Sequence, residues 1–375
     1  MEIKTTSQEG AITNLDLKDD VKTSMRIPYA LRRVPEASLR SLLPCSNSPQ
    51  PGDIALARME RIGKNTNLEL PNGRRCSLHQ GDLLAVVFGN RYATLQFEGY
   101  ARADGERCDL LAVGGLCGLV ESKHAAVADP SQLRLLGFLG DADGRPLRLR
   151  QFALAPAPAA DRSQVRVIVV CGSSMDAGKT HTVASVIMGL RRQGYHVAGV
   201  KLTGTATGKD TWKMLDAGAC AALDFVDGGL PSTYLCDLDE LLNLYDLFRA
   251  HAASQGATCM VVEIADGLLQ NETAALLQSS RFSQTVDAWI FAAGDPLGAA
   301  AGVRVLRSWG IKPVAISGVV TMSPLAVKEA QTATGLPCVT ASDFERGKWN
   351  ARLLKSPVPA SITSAATEDM YQCSE

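Results

Sequence analysis

The residues that could bind a phosphate lie in one short segment, residues 172–180 of the stretch "VRVIVVCGSSMDAGKT". An apolar run leads into the segment, and Gly178, Lys179 and Thr180 end it. Glycines let the backbone turn its N–H groups toward a phosphate, a lysine adds a positive charge, and a threonine hydroxyl is a ligand for Mg²⁺. This composition predicts a site for the phosphates of a nucleotide.

The spacing of the segment departs by one position from the Walker A pattern G-x-x-x-x-G-K-[ST]. Counting back from Gly178, the first glycine is expected at residue 173, but the chain has Gly172 and then Ser173. Gly-Lys-Thr could also be an ordinary helix start, but the strand-like run before it and the amphipathic pattern after it favour nucleotide binding. The predicted nucleotide contacts are Gly172, Ser173, Ser174, Met175, Ala177, Gly178, Lys179, Thr180 and His181.

The elements around this loop alternate between continuous apolar runs and helical patterns. The strand-like runs are "VRVIVV", "HVAGVKL", "TCMVVEIAD", "DAWIFAAG", "KPVAISGVV" and "PCVTAS". Strands that are apolar on both faces are typical of a parallel sheet covered by helices. We therefore predict an α/β fold with a mostly parallel P-loop sheet and helices on both faces.

The chain before the loop has a different pattern. Short alternating runs are separated by turn residues such as Pro71-Asn72-Gly73, which predicts hairpins and a small mostly-β domain preceding the sheet. The predicted organisation is a polar N-terminal segment (1–40), the small mostly-β domain (41–151), a Pro/Ala-rich linker (152–164), the P-loop domain (165–345) and a C-terminal tail (346–375).

The loop "GSSMDAGKT" resembles that of dethiobiotin synthetases and their relatives among the MinD-like P-loop NTPases, in which Gly-x-x-x-Asp-x-Gly-Lys-Thr is usual. The resemblance covers roughly residues 165–345. It implies that Asp176 lies near the attacking substrate or the γ-phosphate and that Lys179, Asp176, Lys201 and Glu263 are catalytic. It also implies that Thr180, Asp210 and Glu263 bind magnesium.

Each of these assignments has a plainer alternative. Lys201, at the end of "AGVKL", could be a solvated strand end, and Asp210 could be the cap of a helix. Glu263 follows the apolar run "CMVV", where an unpaired carboxylate would be costly to bury, which favours a functional role.

The sequence also departs from the dethiobiotin synthetase pattern. The expected Glu-Gly-Ala-Gly is Glu263-Ile-Ala-Asp-Gly267, and Thr321 stands where an adenine-contacting asparagine is expected, so ATP and GTP both remain open. The segment "TGKDTWKMLDAGA" has a weaker likeness to the GTP-binding accessory proteins of molybdopterin-guanine-dinucleotide synthesis, which also implies a nucleotide-site role for Asp210.

Two functions that turn over nucleotide are compatible with this pattern, and a nucleotide-binding module without chemistry is a third, against which Asp176 and Glu263 argue. The first is an ATP- and Mg²⁺-dependent ligase or kinase that activates a carboxylate, carbamate or similar oxyanion of a small-molecule substrate. The second is an accessory or regulatory NTPase that couples nucleotide hydrolysis to partner binding. The dethiobiotin synthetase likeness favours the first and implies a homodimer.

Charge and composition argue against several other classes. The formal net charge of −1 argues against a general binder of nucleic acid or of membrane surfaces. No apolar run is long enough to span a bilayer and the N-terminus lacks a signal-peptide pattern, so we expect a cytoplasmic protein. The 10 cysteines include no C-x-x-C pair, and reduced, buried thiols are expected.

Two further features could be functional or structural. Asn90, Arg91 and Tyr92 could bind a substrate anion or simply form a hairpin turn. Asp295-Pro296 follows the run "DAWIFAAG" and could contact nucleotide or position a loop.

Overall fold

The computed structural model describes residues 15–45, 48–157 and 164–354. The start of the polar N-terminal segment, residues 158–163 of the linker and the tail from residue 355 lie outside these ranges. The described chain forms two compact units. Among the described residues, the first unit contains those up to Leu154 and two later segments, Thr205–Gly208 and Phe225–Leu235. The second unit contains those from Ala155 to Gly204, Lys209–Asp224 and those from Cys236 onward.

The first unit is built on an eight-stranded sheet with the order β1-β2-β10-β3-β6-β9-β7, in which β8 pairs with β10 and β9. Its elements are β1 (Leu15–Asp16), α1 (Asp19–Ser24), β2 (Ser41–Leu43), β3 (Ile54–Arg61), β4 (Asn67–Glu69), β5 (Arg75–Ser77), β6 (Leu83–Phe88), β7 (Phe97–Tyr100), β8 (Arg107–Leu110), β9 (Leu116–Lys123) and β10 (Ser131–Gly140). The pairing is antiparallel except between β6 and β9. The hairpin predicted at Pro71-Asn72-Gly73 is confirmed, since β4 and β5 pair antiparallel around it and Gly73 has a φ of 82°.

The second unit contains a six-stranded sheet with the order β13-β12-β14-β11-β15-β16, and every pairing in it is parallel. Its strands are β11 (Arg166–Gly172), β12 (Val197–Lys201), β13 (Ala221–Asp224), β14 (Cys259–Glu263), β15 (Ala288–Ala292) and β16 (Ala315–Ser317). Successive side chains of a strand point to opposite faces, and all residues of β12, β14 and β15 are buried. Both faces of the sheet are therefore covered.

Helices connect the strands of the second unit. They are α2 (Lys179–Arg192), α3 (Lys209–Asp216), α4 (Leu238–Ser254), α5 (Asn271–Gln278), α6 (Ser280–Ser283), α7 (Pro296–Ser308), α8 (Pro324–Thr334), α9 (Ala341–Glu345) and α10 (Asn350–Leu353). On α2, Val183, Val186, Ile187 and Leu190 recur at helical spacing and form one core cluster with residues of β11, β14 and β15. This packing fixes the axis of α2, and therefore the position of the loop that precedes it.

One predicted strand is wrong. The run 337–342 forms only an isolated parallel bridge between Cys338 and Ile316. Its extended backbone ends at Thr340, whose side chain accepts a hydrogen bond from the Asp343 amide and caps α9. Within the described ranges, no helix combines the length and apolar character needed to cross a membrane.

Candidate functional site

The loop of residues 173–178 connects β11 to α2 and has tight backbone requirements at both ends. A Cβ on Gly172 would lie 2.9 Å from the carbonyl oxygen of Ala292 and 2.9 Å from Lys179 Cγ. Gly178 has a φ of 95°, and a Cβ there would lie 2.9 Å from Gly318 Cα. The displaced first glycine thus has a steric reason, because the close approach occurs at residue 172.

Asp176 lies exposed in the middle of this loop with a φ of 60°. Among non-glycine residues, aspartate and asparagine tolerate this left-handed conformation best, yet it still costs about 1 kcal/mol or more. The turn at Asp176 is therefore imposed by the loop. A strained residue in a loop between a buried strand and a helix is typical of a binding site.

Lys179, the first residue of α2, is buried and bonds to backbone oxygens. Its Nζ donates to the carbonyl oxygens of Ser174 and Asp266, both at 2.7 Å. Burial lowers the pKa of Lys179, and the nearby Glu263 carboxylate opposes this effect. The ammonium group is thus held beside the loop by two main-chain oxygens, which are acceptors that a phosphate oxygen could replace.

The side chains of Thr180, Asp210 and Glu263 meet next to the loop. The Thr180 hydroxyl donates to Glu263 Oε1 at 2.8 Å and lies 3.2 Å from Asp210 Oδ1. Glu263 is the last residue of β14 and Asp210 is the second residue of α3. Burial raises the pKa of Glu263, and the charge of Asp210 raises it further.

Lys201 ends β12 and stands in register with Glu263 on the adjacent parallel strand. Its Nζ forms an ion pair with Asp210 Oδ2, and only 7% of Lys201 and 8% of Asp210 are exposed. Burial disfavours the charged lysine, but the carboxylates of Asp210 and Glu263 outweigh burial and raise its pKa. Burial likewise opposes ionisation of Asp210, and Lys201 holds its pKa below the ordinary value.

The donor set fits magnesium. Mg²⁺ prefers hard oxygen ligands from one or two carboxylates and a hydroxyl, with waters and phosphates completing its shell. Glu263 Oε2 is buried, and among the described residues it has no hydrogen-bond donor. A buried, unsatisfied carboxylate oxygen is costly unless a cation or water completes it. Thr180, Asp210 and Glu263 therefore make a chemically suitable cradle for the metal.

The sequence reasoning missed two residues of this site. Asp224, the last residue of β13, is fully buried in register with Lys201, and its charge contributes to the raised pKa of that lysine. Asp266 supplies a carbonyl oxygen to Lys179 and has a φ of 61°. A carboxylate that ends a short strand was a usable signal for Asp224, whereas the backbone role of Asp266 left no signal in its side-chain type.

The remaining predicted loop residues surround the same turn. Ala177 is buried and accepts a hydrogen bond from the Val319 amide at 3.1 Å, while His181 is exposed on α2. Ser174 is exposed and Met175 is half-buried. Thr321 donates its hydroxyl to Gly318 at 2.7 Å, and so stabilises the turn that follows β16.

The two features left open by the sequence have structural roles. Asp295 is the N-cap of α7 and accepts from the Gly298 amide at 2.8 Å. In the first unit, Arg91 is buried and donates to the Leu111 carbonyl, and Asn90 Oδ1 accepts from the Ala101 amide at 3.0 Å. These contacts explain Asp295, Arg91 and Asn90 without a ligand.

No protein-family model matches the chain, and no curated protein matches it. Among solved structures, it is similar to the signal recognition particle receptor FtsY from Elizabethkingia anophelis, with 13% identity over 48% of this chain and 60% of that one and a TM-score of 0.35. A DUF1611 family protein from Anabaena variabilis is similar at 16% identity over 56% and 64% of the two chains, with a TM-score of 0.37. The signal recognition particle 54 kDa protein from Aeropyrum pernix, in complex with GDP, is similar at 18% identity over 51% and 46%, with a TM-score of 0.34.

These similarities are weak. Each of these three alignments spans less than two thirds of the other protein, and TM-scores in this range establish neither a family nor an activity for this chain. The resemblance to dethiobiotin synthetases stays a prediction from the loop. The function must therefore be argued from the side chains of the site.

Proposed function

We propose that the protein is a magnesium-dependent nucleoside triphosphatase that hydrolyses its nucleotide at the loop of residues 172–180. The observation that carries this proposal is the convergence of Thr180, Asp210 and Glu263 beside the loop, with a buried carboxylate oxygen that has no donor among the described residues. A nucleotide loop followed by a hard-oxygen cradle is the arrangement that phosphoryl transfer requires.

Different residues of the site would bind the phosphates and the metal ion. Loop amides and Lys179 would bind the phosphates, and Lys179 would exchange the carbonyl oxygens of Ser174 and Asp266 for phosphate oxygens. Thr180, Asp210 and Glu263 would hold Mg²⁺. When bound, Mg²⁺ supplies charge neutralisation on the transferred phosphoryl group. Asp176 would lie near the γ-phosphate, as the loop resemblance implies.

The environment of Lys201 distinguishes between two candidate reactions, hydrolysis of the nucleotide and activation of a second substrate. In a ligase or kinase of the dethiobiotin synthetase kind, this lysine would bind the anionic substrate. Here its ammonium group is buried and already paired with Asp210, so a substrate anion would have to enter a buried site beside that carboxylate. Burying a second anion next to the Asp210 carboxylate is costly through desolvation and like-charge repulsion, which favours hydrolysis coupled to a partner over oxyanion activation.

Activation of a small carboxylate or carbamate is the second candidate. The exposed Asp176, at the position that faces the attacking substrate in the resembled family, favours it. The two functions differ in what turnover requires, since hydrolysis needs only nucleotide, Mg²⁺ and water. The base of the nucleotide, ATP or GTP, and a homodimeric state stay predictions.

The test is phosphate release from ATP and from GTP, with and without Mg²⁺, and with a set of small carboxylic acids and amines. Mg²⁺-dependent release from nucleotide alone supports the proposal. Release that requires an acid, with an acyl phosphate or amide product, supports the second candidate. Lys179→Ala should abolish release, and Lys213→Ala, an exposed lysine on α3, should not. Absence of release under all conditions would contradict both functions.

A further inference from the structure

Glu69 is a buried residue of the first unit, and the described donors to its carboxylate lie in one short segment. It ends β4 and is only 2% exposed. Its Oε2 accepts from the Thr207 hydroxyl at 2.8 Å and from the Gly208 amide at 3.1 Å. Both donors belong to Thr205–Gly208, the segment that packs within the first unit although it lies beyond residue 165.

Among the described residues, no lysine, arginine or histidine forms an ion pair with the buried Glu69 carboxylate. A buried charge without a partner cation costs free energy, and an apolar residue of similar size would cost less. In return, the carboxylate accepts charge-assisted hydrogen bonds from the Thr207 hydroxyl and the Gly208 amide. The role of Glu69 is therefore to hold the segment Thr205–Gly208 in place.

The same segment is restrained at two more points in the first unit. The Ala206 amide donates to the Pro231 carbonyl at 3.1 Å, and Thr205 forms a bridge with Ser232. Gly114 lies so close to the Ala206 carbonyl that a Cβ on it would approach the oxygen to 2.1 Å. The backbone of Thr205–Gly208 is thus fixed along its length, with Glu69 at its last residue.

This restraint reaches the proposed metal cradle through the covalent chain. Asp210 follows Gly208 by two residues, and Lys201 precedes Thr205 by four. The backbone conformation of Gly208 therefore sets the direction in which the chain enters α3, whose second residue is Asp210. Partners that orient metal ligands typically change metal affinity by about ten- to a hundredfold when they are removed.

We propose that Glu69 is a positioning residue for the magnesium site, acting on Asp210 through the segment Thr205–Gly208. This inference rests on the proposed function and assigns to the first unit a role in it. Glu69 touches neither nucleotide nor metal in this proposal. Its contribution is to hold the backbone of Gly208, two residues before Asp210, in one conformation.

The variants separate the hydrogen bonds from the packing. Glu69→Leu keeps the volume and removes the acceptor, Glu69→Gln keeps an oxygen that can accept both bonds, and Thr207→Val removes one donor from the other side. Glu60→Leu, on the exposed part of β3, is the matched control. Thr207→Val leaves the core of the first unit unaltered, so it tests the proposal even if Glu69→Leu folds poorly.

The first readout is amide hydrogen exchange of the metal-free protein, which does not depend on activity. Glu69→Leu and Thr207→Val should speed exchange at residues 205–212 by about tenfold or more and leave α2 unchanged. Glu69→Gln and Glu60→Leu should resemble the native chain. Equal exchange at residues 205–212 in Glu69→Leu and the native chain would overturn the inference.

The second readout is the Mg²⁺ dependence of nucleotide turnover. Glu69→Leu should raise the Mg²⁺ concentration for half-maximal turnover by about tenfold, and Glu69→Gln should restore it to within about threefold of the native value. The KM for nucleotide at saturating Mg²⁺ should stay within about twofold. An unchanged Mg²⁺ dependence in Glu69→Leu would overturn the inference, whereas absence of turnover in the native chain would contradict the proposed function and leave the exchange readout to decide on Glu69.

Discussion

The ammonium group of Lys201 and the carboxylate of Asp210 form a buried ion pair between the end of β12 and the first turn of α3. The two residues are nine positions apart, and the Thr180 hydroxyl lies 3.2 Å from the other Asp210 oxygen. The Asp210 carboxylate thus links Lys201, at the end of β12, to Thr180, in the first turn of α2.

Removing one partner of this pair should destabilise the protein strongly. Lys201→Met leaves Asp210 buried without its cation, and we expect a loss of about 3–5 kcal/mol in the free energy of unfolding. The double variant Lys201→Met/Asp210→Leu should recover most of that loss, since neither charge remains. Urea denaturation measures both values. A loss in Lys201→Met no larger than that in Lys213→Met, at an exposed lysine of α3, would show that the pair contributes nothing.

Glu263 should make the metal-free protein less stable as the pH rises. Its folded-state pKa lies above the ordinary value of 4.5 because of burial and then the charge of Asp210. The folded state therefore holds a proton that the unfolded state has lost, and the free energy of unfolding falls as the pH rises from 4.5 through the folded-state pKa. Denaturation in EDTA should show this slope in the native chain.

The matched variant is Glu263→Gln, which removes the titrating group but keeps an acceptor for Thr180. In EDTA at neutral pH it should be more stable than the native chain by about 1 kcal/mol, a rise of about 1 °C in Tm for a chain of 375 residues. The part of the pH dependence of the free energy of unfolding that comes from Glu263 should be absent in this variant. A variant with the native slope would mean that another group produces the pH dependence.

The displaced glycine of the loop can be tested directly. Gly172→Ala places a Cβ 2.9 Å from Lys179 Cγ and from the Ala292 carbonyl, so it should shift the lysine and weaken nucleotide binding by about tenfold or more. Gly294→Ala is the control because a Cβ there meets nothing within 4 Å. Fluorescent-nucleotide titration compares the two. Equal nucleotide affinity in both variants would show that a Cβ at residue 172 does not affect nucleotide binding by the loop.

The sequence predicts the parallel sheet and the loop well for a physical reason. Buried strands such as β11 and the helical spacing on α2 are local patterns, and the core cluster of the second unit follows them. The resemblance of the loop implies that Thr180, Asp210 and Glu263 form one set. They meet because β11, β12 and β14 are parallel, so that Glu263 and the starts of α2 and α3 lie at the carboxyl edge of the sheet.

The sequence predicts less well which residues that lie far apart in the chain pair with each other. The resemblance implies a catalytic role for Lys201, and the structure pairs this lysine with Asp210. Single-sequence patterns cannot predict which nearby anion a given cation pairs with. The contact of Glu69 with Thr207 joins residues 138 positions apart, and periodicity carries no information at that separation. Residues 337–342 were wrongly predicted as a strand because a short apolar run also suits the approach to a capped helix.

Comparing Lys179→Ala and Glu263→Gln with the native chain tests for a magnesium–nucleotide site at the loop of residues 172–180. Calorimetric titration of nucleotide with and without Mg²⁺, together with phosphate release, measures binding and turnover separately. We predict that Lys179→Ala loses nucleotide binding, while Glu263→Gln still binds nucleotide without Mg²⁺ but loses the gain from Mg²⁺ and turns over at least about a hundredfold more slowly. Native Mg²⁺ dependence and turnover in Glu263→Gln would contradict the account.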